Sequence, residues 1–363
     1  MALPKSGISA SAAVALKLAA VLLILVSLVS YIVSLLLGPM LFYYTSDGLK
    51  VAARGIMELP LSVFMAIPVT VPIYTNMGTF FGVIWLVYAL CFFAASRSRN
   101  GFLKSVKNLL TSPLLTVKVN YLLIMPLIAM ALLNASLLIQ QFQETQGVQT
   151  GALTFPPQTS PYIILVNLTF APINEEIAFR ITSIGIPLGL FLLYHYRGDS
   201  KISGIKNKIK LVARAMLCPE SAKAALGYKN VTSQGVLRGI SWGEWLLILV
   251  TSAVFGLAHF LLGGGWQFGK VSTAFLAGLV FGIMFVAYGA YASILLHWFF
   301  DYYFTILNMA ETTYGGIARS FSTLVEVTNV VGGELVLFII LIIGALRLAD
   351  YLSRRAVGLP SKE

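Results

Sequence analysis

Charge is scarce in this chain. Asp, Glu, Lys and Arg make up 11% of its 363 residues, with 14 acidic residues against 25 basic ones. A soluble globular domain carries about a quarter charged residues, so a water-facing surface over most of the molecule is excluded. Cysteine is almost missing: Cys91 and Cys218 lie in unrelated segments, and no disulfide framework follows. Several protease signatures are absent too. There is no His-Glu-x-x-His for a zinc helix and no Gly-x-Ser-Gly run for a membrane serine nucleophile. Asp301 is the one aspartate away from the ends of an apolar segment, which argues against a two-aspartate site.

What the chain has in excess is apolar surface. Hydrophobic residues reach 58% and the mean hydropathy is +0.85. Taking about 20 residues per crossing, the sequence predicts an all-α polytopic integral membrane protein, a bundle of about eight transmembrane helices around an intramembrane polar cavity. The expected spans are 17–38, 73–95, 119–140, 161–196, 244–263, 271–290, 291–308 and 333–350. Lys5 and Lys17 before an apolar run imitate a secretory signal, but Leu18 to Leu37 is long enough to cross a bilayer and lacks a cleavage site.

Basic residues alternate between the loops as the positive-inside rule requires. One side collects Lys5, Lys17, five Lys/Arg in 96–118, nine in 197–242, and Arg347, Arg354, Arg355 and Lys362. The other holds Lys50, Arg54, Lys270 and Arg319. The pattern predicts a multi-pass protein of the cell membrane with both termini cytoplasmic. The net charge of +11 is then an orientation signal for a lipid bilayer partner, with no nucleic acid implied.

Other features are organisational. In loop 197–242, Ile202, Ile205, Ile209, Val212 and Met216 recur every three or four residues among Lys206, Lys208, Lys210 and Arg214, predicting a basic amphipathic helix. Gly185 with Gly189 and Gly278 with Gly282 predict close helix packing. Segment 45–72 is too rich in proline and polar residues for a clean span and is expected to be re-entrant or interfacial. Residues 1–160 carry no motif, 161–308 form the expected core, and 309–363 supply a last span and basic tail.

The exceptional stretch is Ala171–Arg180, which places Glu175, Glu176 and Arg180 inside a membrane span. Each ionised side chain at a helix centre costs about 2.5–3.5 kcal/mol on insertion scales, so intramembrane charge is read as function first. Glu176 and Arg180 are four apart and can pair. Glu175 is rotated by roughly 100° and is free to face a cleft. His259 and the pair His297/Asp301, again four apart, are candidates to meet it. A carboxylate with imidazoles can activate water and stabilise an oxyanion, and the same set can ligate a divalent metal. His195, between Tyr194 and Tyr196, reads as an interfacial anchor, and Phe255 as packing beneath His259.

Glu175 to Arg180 resembles the EExxxR motif of the CPBP family of CAAX proteases and bacteriocin-processing or immunity proteins. Phe255–His259 is similar to its FxxxH motif and His297–Asp301 to its HxxxN motif, all in order and within about residues 160–305. The resemblance implies an intramembrane glutamate-dependent endopeptidase. Its eukaryotic relatives remove the last three residues of prenylated CAAX proteins. By that analogy Glu175 and His259 activate water, His297 and residue 301 form the oxyanion hole, and Glu176 and Arg180 support them. Asp301 departs from the family's Asn. An amide donates a hydrogen bond and an ionised carboxylate does not, so Asp301 is either protonated, an orienter of His297, or a metal recruiter.

No cofactor is expected. In a metal-dependent version Glu175, His259, His297 and Asp301 are the ligands. The expected partner is a prenylated or membrane-associated peptide. A non-catalytic binding or immunity protein of the same fold is the alternative. A proton-coupled transporter is a third reading, against which no inverted repeat is visible.

Overall fold

The computed structural model describes residues 10–111, 119–262 and 264–356. Lys5, Lys118 and Lys362, three of the counted basic residues, lie outside them. The order is α1 (Ala10–Tyr44), α2 (Ser46–Ala52), β1 (Gly55–Val63), β2 (Ile67–Asn76), α3 (Met77–Arg97), α4 (Phe102–Thr111), α5 (Tyr121–Thr145) and α6 (Pro161–Glu176). A π-turn (Ile177–Gly185) then leads into α7 (Ile186–His195). After α8 (Ile205–Leu217), α9 (Pro219–Ala225) and α10 (Val231–Gly239) come α11 (Trp242–Leu261) and α12 (Lys270–Tyr288). The chain closes with α13 (Ala290–Trp298), a second π-turn (Phe299–Tyr303), α14 (Phe304–Tyr314) and α15 (Gly316–Ala356).

Local chemistry sets the boundaries. Ser160 caps α6 with Pro161 in its first turn, where a missing N–H costs nothing. Asn76 and Asn120 cap α3 and α5. Ser241 and Glu244 form a reciprocal capping box at α11, and Glu244 is further fixed by the buried Lys223 at 2.7 Å.

Among the described residues, seven helices are long and apolar enough to cross a membrane: Lys17–Tyr44, Met77–Arg97, Tyr121–Thr145, Pro161–His195, Trp242–Leu261, Lys270–Tyr288 and Gly316–Ile342. The protein is an all-α polytopic membrane protein with one small hairpin. The expected crossing at 291–308 is helical but is not among the seven. His297, Asp301 and several tyrosines dilute its hydropathy, and most of it is buried within the protein. The last crossing starts earlier than expected, because α15 is already helical from Gly316.

The loop helix is α8, a basic amphipathic helix as its spacing predicts, and it packs on the bundle by a face next to the isoleucines. Ile205 and Ile209 are 73% and 62% exposed, while Leu211 and Ala215 are buried. The cause is the glycine pair. A Cβ on Gly185 would sit 2.6 Å from Met216 Cα, and one on Gly189 3.1 Å from Val212 Cα, so the backbones approach on that side.

Segment 45–72, expected to be re-entrant or interfacial, forms α2 and the start of the hairpin. β1 and β2 pair antiparallel, with Glu58 opposite Pro72, Pro60 opposite Thr70 and Ser62 opposite Pro68. The tip, Phe64–Met65–Ala66, has φ of 41°, 60° and 77°, left-handed conformations costing about 1–2 kcal/mol per non-glycine residue.

Candidate active site

The continuous helix from Pro161 to His195 has 35 residues, about 52 Å at 1.5 Å per residue. That exceeds the roughly 30 Å apolar core of a bilayer, and the acidic pair falls near the middle of its length. The π-turn begins directly after Glu176. Such wide turns interrupt the regular ladder and are frequent at functional sites. Here the carbonyl of Ala178 accepts from Thr182 Oγ1 at 3.0 Å, Ser183 Oγ at 2.6 Å and the Met65 N–H at 3.1 Å.

That last bond docks the hairpin tip beside the acids. Ser62 N donates to Asn174 Oδ1 at 2.7 Å, and Phe64 N to Thr182 Oγ1 at 2.9 Å. Met65 and Ala66 pack with Ala178, Phe179, Phe255 and Ala274. These anchors offset the strain of the left-handed tip.

Glu176 and Arg180 are fully buried and pair at 2.8 Å through Arg180 Nη1, as their spacing predicts. Arg180 Nη2 donates to the Gly278 carbonyl at 3.1 Å, and the guanidinium carbon lies 4.6 Å from the Phe255 ring centroid and 5.2 Å from that of Phe281. A buried charge is tolerated when paired and hydrogen-bonded. Glu176 Oε1 also contacts His297 Nδ1 at 3.0 Å, so Nδ1 carries a hydrogen.

His297 therefore turns Nε2 toward the remaining acids, 3.6 Å from Glu175 Oε2 and 3.5 Å from Asp301 Oδ2. These separations are electrostatic contacts beyond hydrogen-bond range, and Glu175 Oε2 has no hydrogen-bond partner. The Glu175 and Asp301 side chains are 30% and 26% exposed, against 0% for Glu176. Asp301 lies in the second π-turn. Behind it a buried aromatic block holds the helix against α1: Trp298 stacks on Tyr302 at 5.3 Å, and Tyr31 meets Trp298 at 5.8 Å.

His259 lies across a ring from this cluster. Its Nδ1 is 2.8 Å from the Phe255 carbonyl, which only accepts, so the hydrogen sits on Nδ1 and Nε2 carries the lone pair. Phe255 contacts His259 at 4.7 Å and His297 at 5.8 Å between ring centroids, separating the two imidazoles. Thus Glu175, Glu176, Arg180, His297 and Asp301 form one polar cluster, and His259 borders it through Phe255 without a direct polar contact. Among the described residues, no group of three His, Cys, Asp or Glu side chains is arranged to hold a metal ion.

Three elements escape sequence reading. The Glu176–His297 contact joins residues 121 positions apart. The Gly278 carbonyl is a backbone acceptor that no side-chain motif can announce, although its GxxxG pair marks the close approach. The hairpin tip has no signature beyond the prolines of segment 45–72.

Residues 157–303 match the family model described as type II CAAX prenyl endopeptidase, Rce1-like. The match agrees with the CPBP resemblance of the three motifs and contains all six polar residues of the site and its border. At family level it supports a CAAX-type intramembrane protease, carried here by a multi-pass membrane protein. α1, α3, α5 and α15 lie outside the matched stretch. No curated protein and no solved structure matches the chain.

Proposed function

We propose that this protein is a glutamate-dependent intramembrane endopeptidase that hydrolyses a peptide bond near the C-terminus of prenylated CAAX-type or other membrane-delivered peptides. The observation that carries the reading is the division of labour between adjacent acids. Glu176 is wholly buried and engaged through Oε1 by Arg180 and His297, whereas the Glu175 side chain is 30% exposed beside His297 Nε2.

In this reading Glu175 takes a proton from the attacking water, with the His259 Nε2 lone pair as second acceptor, and passes it to the leaving nitrogen as the C–N bond breaks and the carboxylate product forms. General-base help of this kind contributes about 10²–10⁴-fold. His297 Nε2 and Asp301 face the carbonyl oxygen as it becomes an oxyanion. A donor placed there is worth about 10²–10³-fold, provided one of the two holds a proton. Glu176 and Arg180 hold α6 and His297 in place. No cofactor enters these steps. The termini and loop 197–242 face the cytoplasm, following the basic residues.

The test is cleavage of a prenylated CAAX peptide by purified protein in liposomes, read by mass spectrometry, beside Glu175→Gln and an unprenylated peptide. Loss of the last three residues with wild type only supports the reading. Equal product from Glu175→Gln, or no product from folded wild type with any membrane-delivered peptide, overturns it in favour of a binding protein.

A further inference from the structure

Lys270 opens α12, and the residues that follow it on one face all meet the site. Ala274 packs with Ala178, Phe179 and Phe255. The Gly278 carbonyl receives Arg180, and Phe281 lies 4.9 Å from the His297 ring. Residues four apart stand one above another on a helix, so Lys270 heads the stripe that faces the acids.

Its height is fixed by the neighbouring helix. Gly256 packs on the Val271 carbonyl and on Phe275. His259, one turn further along α11, is therefore level with the first turn of α12. The loop before Lys270 is tied to the polar loop 149–154 by Gln267 N to Thr150 O, Gly269 N to Gln149 O (both 2.9 Å) and Thr154 N to Gly264 O (2.8 Å). The ammonium rests 4.0 Å from the Trp266 ring centroid.

Lys270 makes no ion pair within 4.0 Å with any described carboxylate. The site thus has a half-buried cation that its own acids do not consume.

We propose that Lys270 binds the free C-terminal carboxylate of the substrate and so sets how far from the chain end the cut falls. This rests on the protease reading. Three extended residues span about 10 Å. Lys270 stands eight residues, about 12 Å of helix, from the level where Gly278 meets Arg180. A carboxylate held by Lys270 would therefore place the third peptide bond from the end beside Glu175. A lysine with no carboxylate partner among the described residues is a point charge suited to one carboxylate.

The experiment compares one prenylated CAAX peptide as free acid and as C-terminal amide, with wild type, Lys270→Gln and Lys270→Arg, scoring kcat/KM by mass spectrometry. Wild type is expected to prefer the acid by on the order of 10- to 100-fold, as for a charge-assisted hydrogen bond. Lys270→Gln should lose the preference, the acid falling to the level of the amide, and Lys270→Arg should keep most of it. Equal use of acid and amide by wild type, or undiminished preference in Lys270→Gln, overturns the assignment while leaving the protease intact. Absence of cleavage with both peptides overturns the protease reading and this one together.

Discussion

Glu176 Oε1 lies 2.8 Å from Arg180 Nη1 and 3.0 Å from His297 Nδ1, so one buried oxygen orients both the guanidinium and the imidazole. Neighbouring acids with such different surroundings should respond differently to the same change. Glu176→Gln removes the ion-pair partner of the buried Arg180, which costs about 3–5 kcal/mol. It should lower both thermal stability in detergent and activity. Glu175→Gln should abolish cleavage and leave the melting temperature near wild type. Equal melting temperatures for the two variants would contradict this division.

Asp301 can be tested by installing the Asn of the motif it resembles. Asn donates through its amide and keeps the shape of Asp, so Asp301→Asn is expected to retain activity within a few-fold of wild type. Asp301→Ala should lose about 10²-fold or more. Steady-state rates on the CAAX peptide would decide, and a dead Asp301→Asn with active Asp301→Ala would remove the oxyanion role.

Metal dependence has a direct test. With Glu175 and His259 as the water-activating pair, activity should survive EDTA and dialysis unchanged. Loss on chelation with recovery on adding Zn²⁺ would instead make Glu175, His259, His297 and Asp301 ligands.

The hairpin tip depends on Thr182. Thr182→Val deletes the acceptor of the part-buried Phe64 N–H, and losing such a hydrogen bond costs about 0.5–1.5 kcal/mol. Hydrogen exchange at residues 62–66 should accelerate with little change in α3 or α5. Unchanged protection there would mean that the other anchors suffice.

Close helix packing is tested at Gly185, where an added Cβ would lie 2.6 Å from Met216 Cα. Gly185→Val should separate α8 from the π-turn and lower the melting temperature. Gly243, whose added Cβ meets nothing within 4 Å, should accept alanine with little loss.

Much of the polar core was legible because intramembrane charge is costly and helical spacing is rigid. The Glu176–Arg180 pair follows from four-residue spacing alone, as does the proximity of His297 to Asp301. The number and limits of the crossings were less legible near residue 300. There the functional polar residues lower the hydropathy of a helix that packs inside the bundle. The amphipathic α8 was legible in its spacing, but the face it packs was not, because that choice belongs to Gly185 and Gly189, 16 or more residues away. The hairpin was invisible as a sheet, since three prolines obscure strand alternation.

Those prolines have a consequence of their own. The Ser62 N–H points away from β2, toward Asn174, and alternation gives Pro60 and the facing Pro68 and Pro72 the same outward orientation. Three outward positions thus present a carbonyl and no donor. Whatever lies along this ribbon, whether lipid headgroup, water or an extended peptide, must bring its own hydrogens. A second copy of the same ribbon, equally poor in donors, is a bad match, so neighbouring molecules in a crowded bilayer are discouraged from zipping together through it.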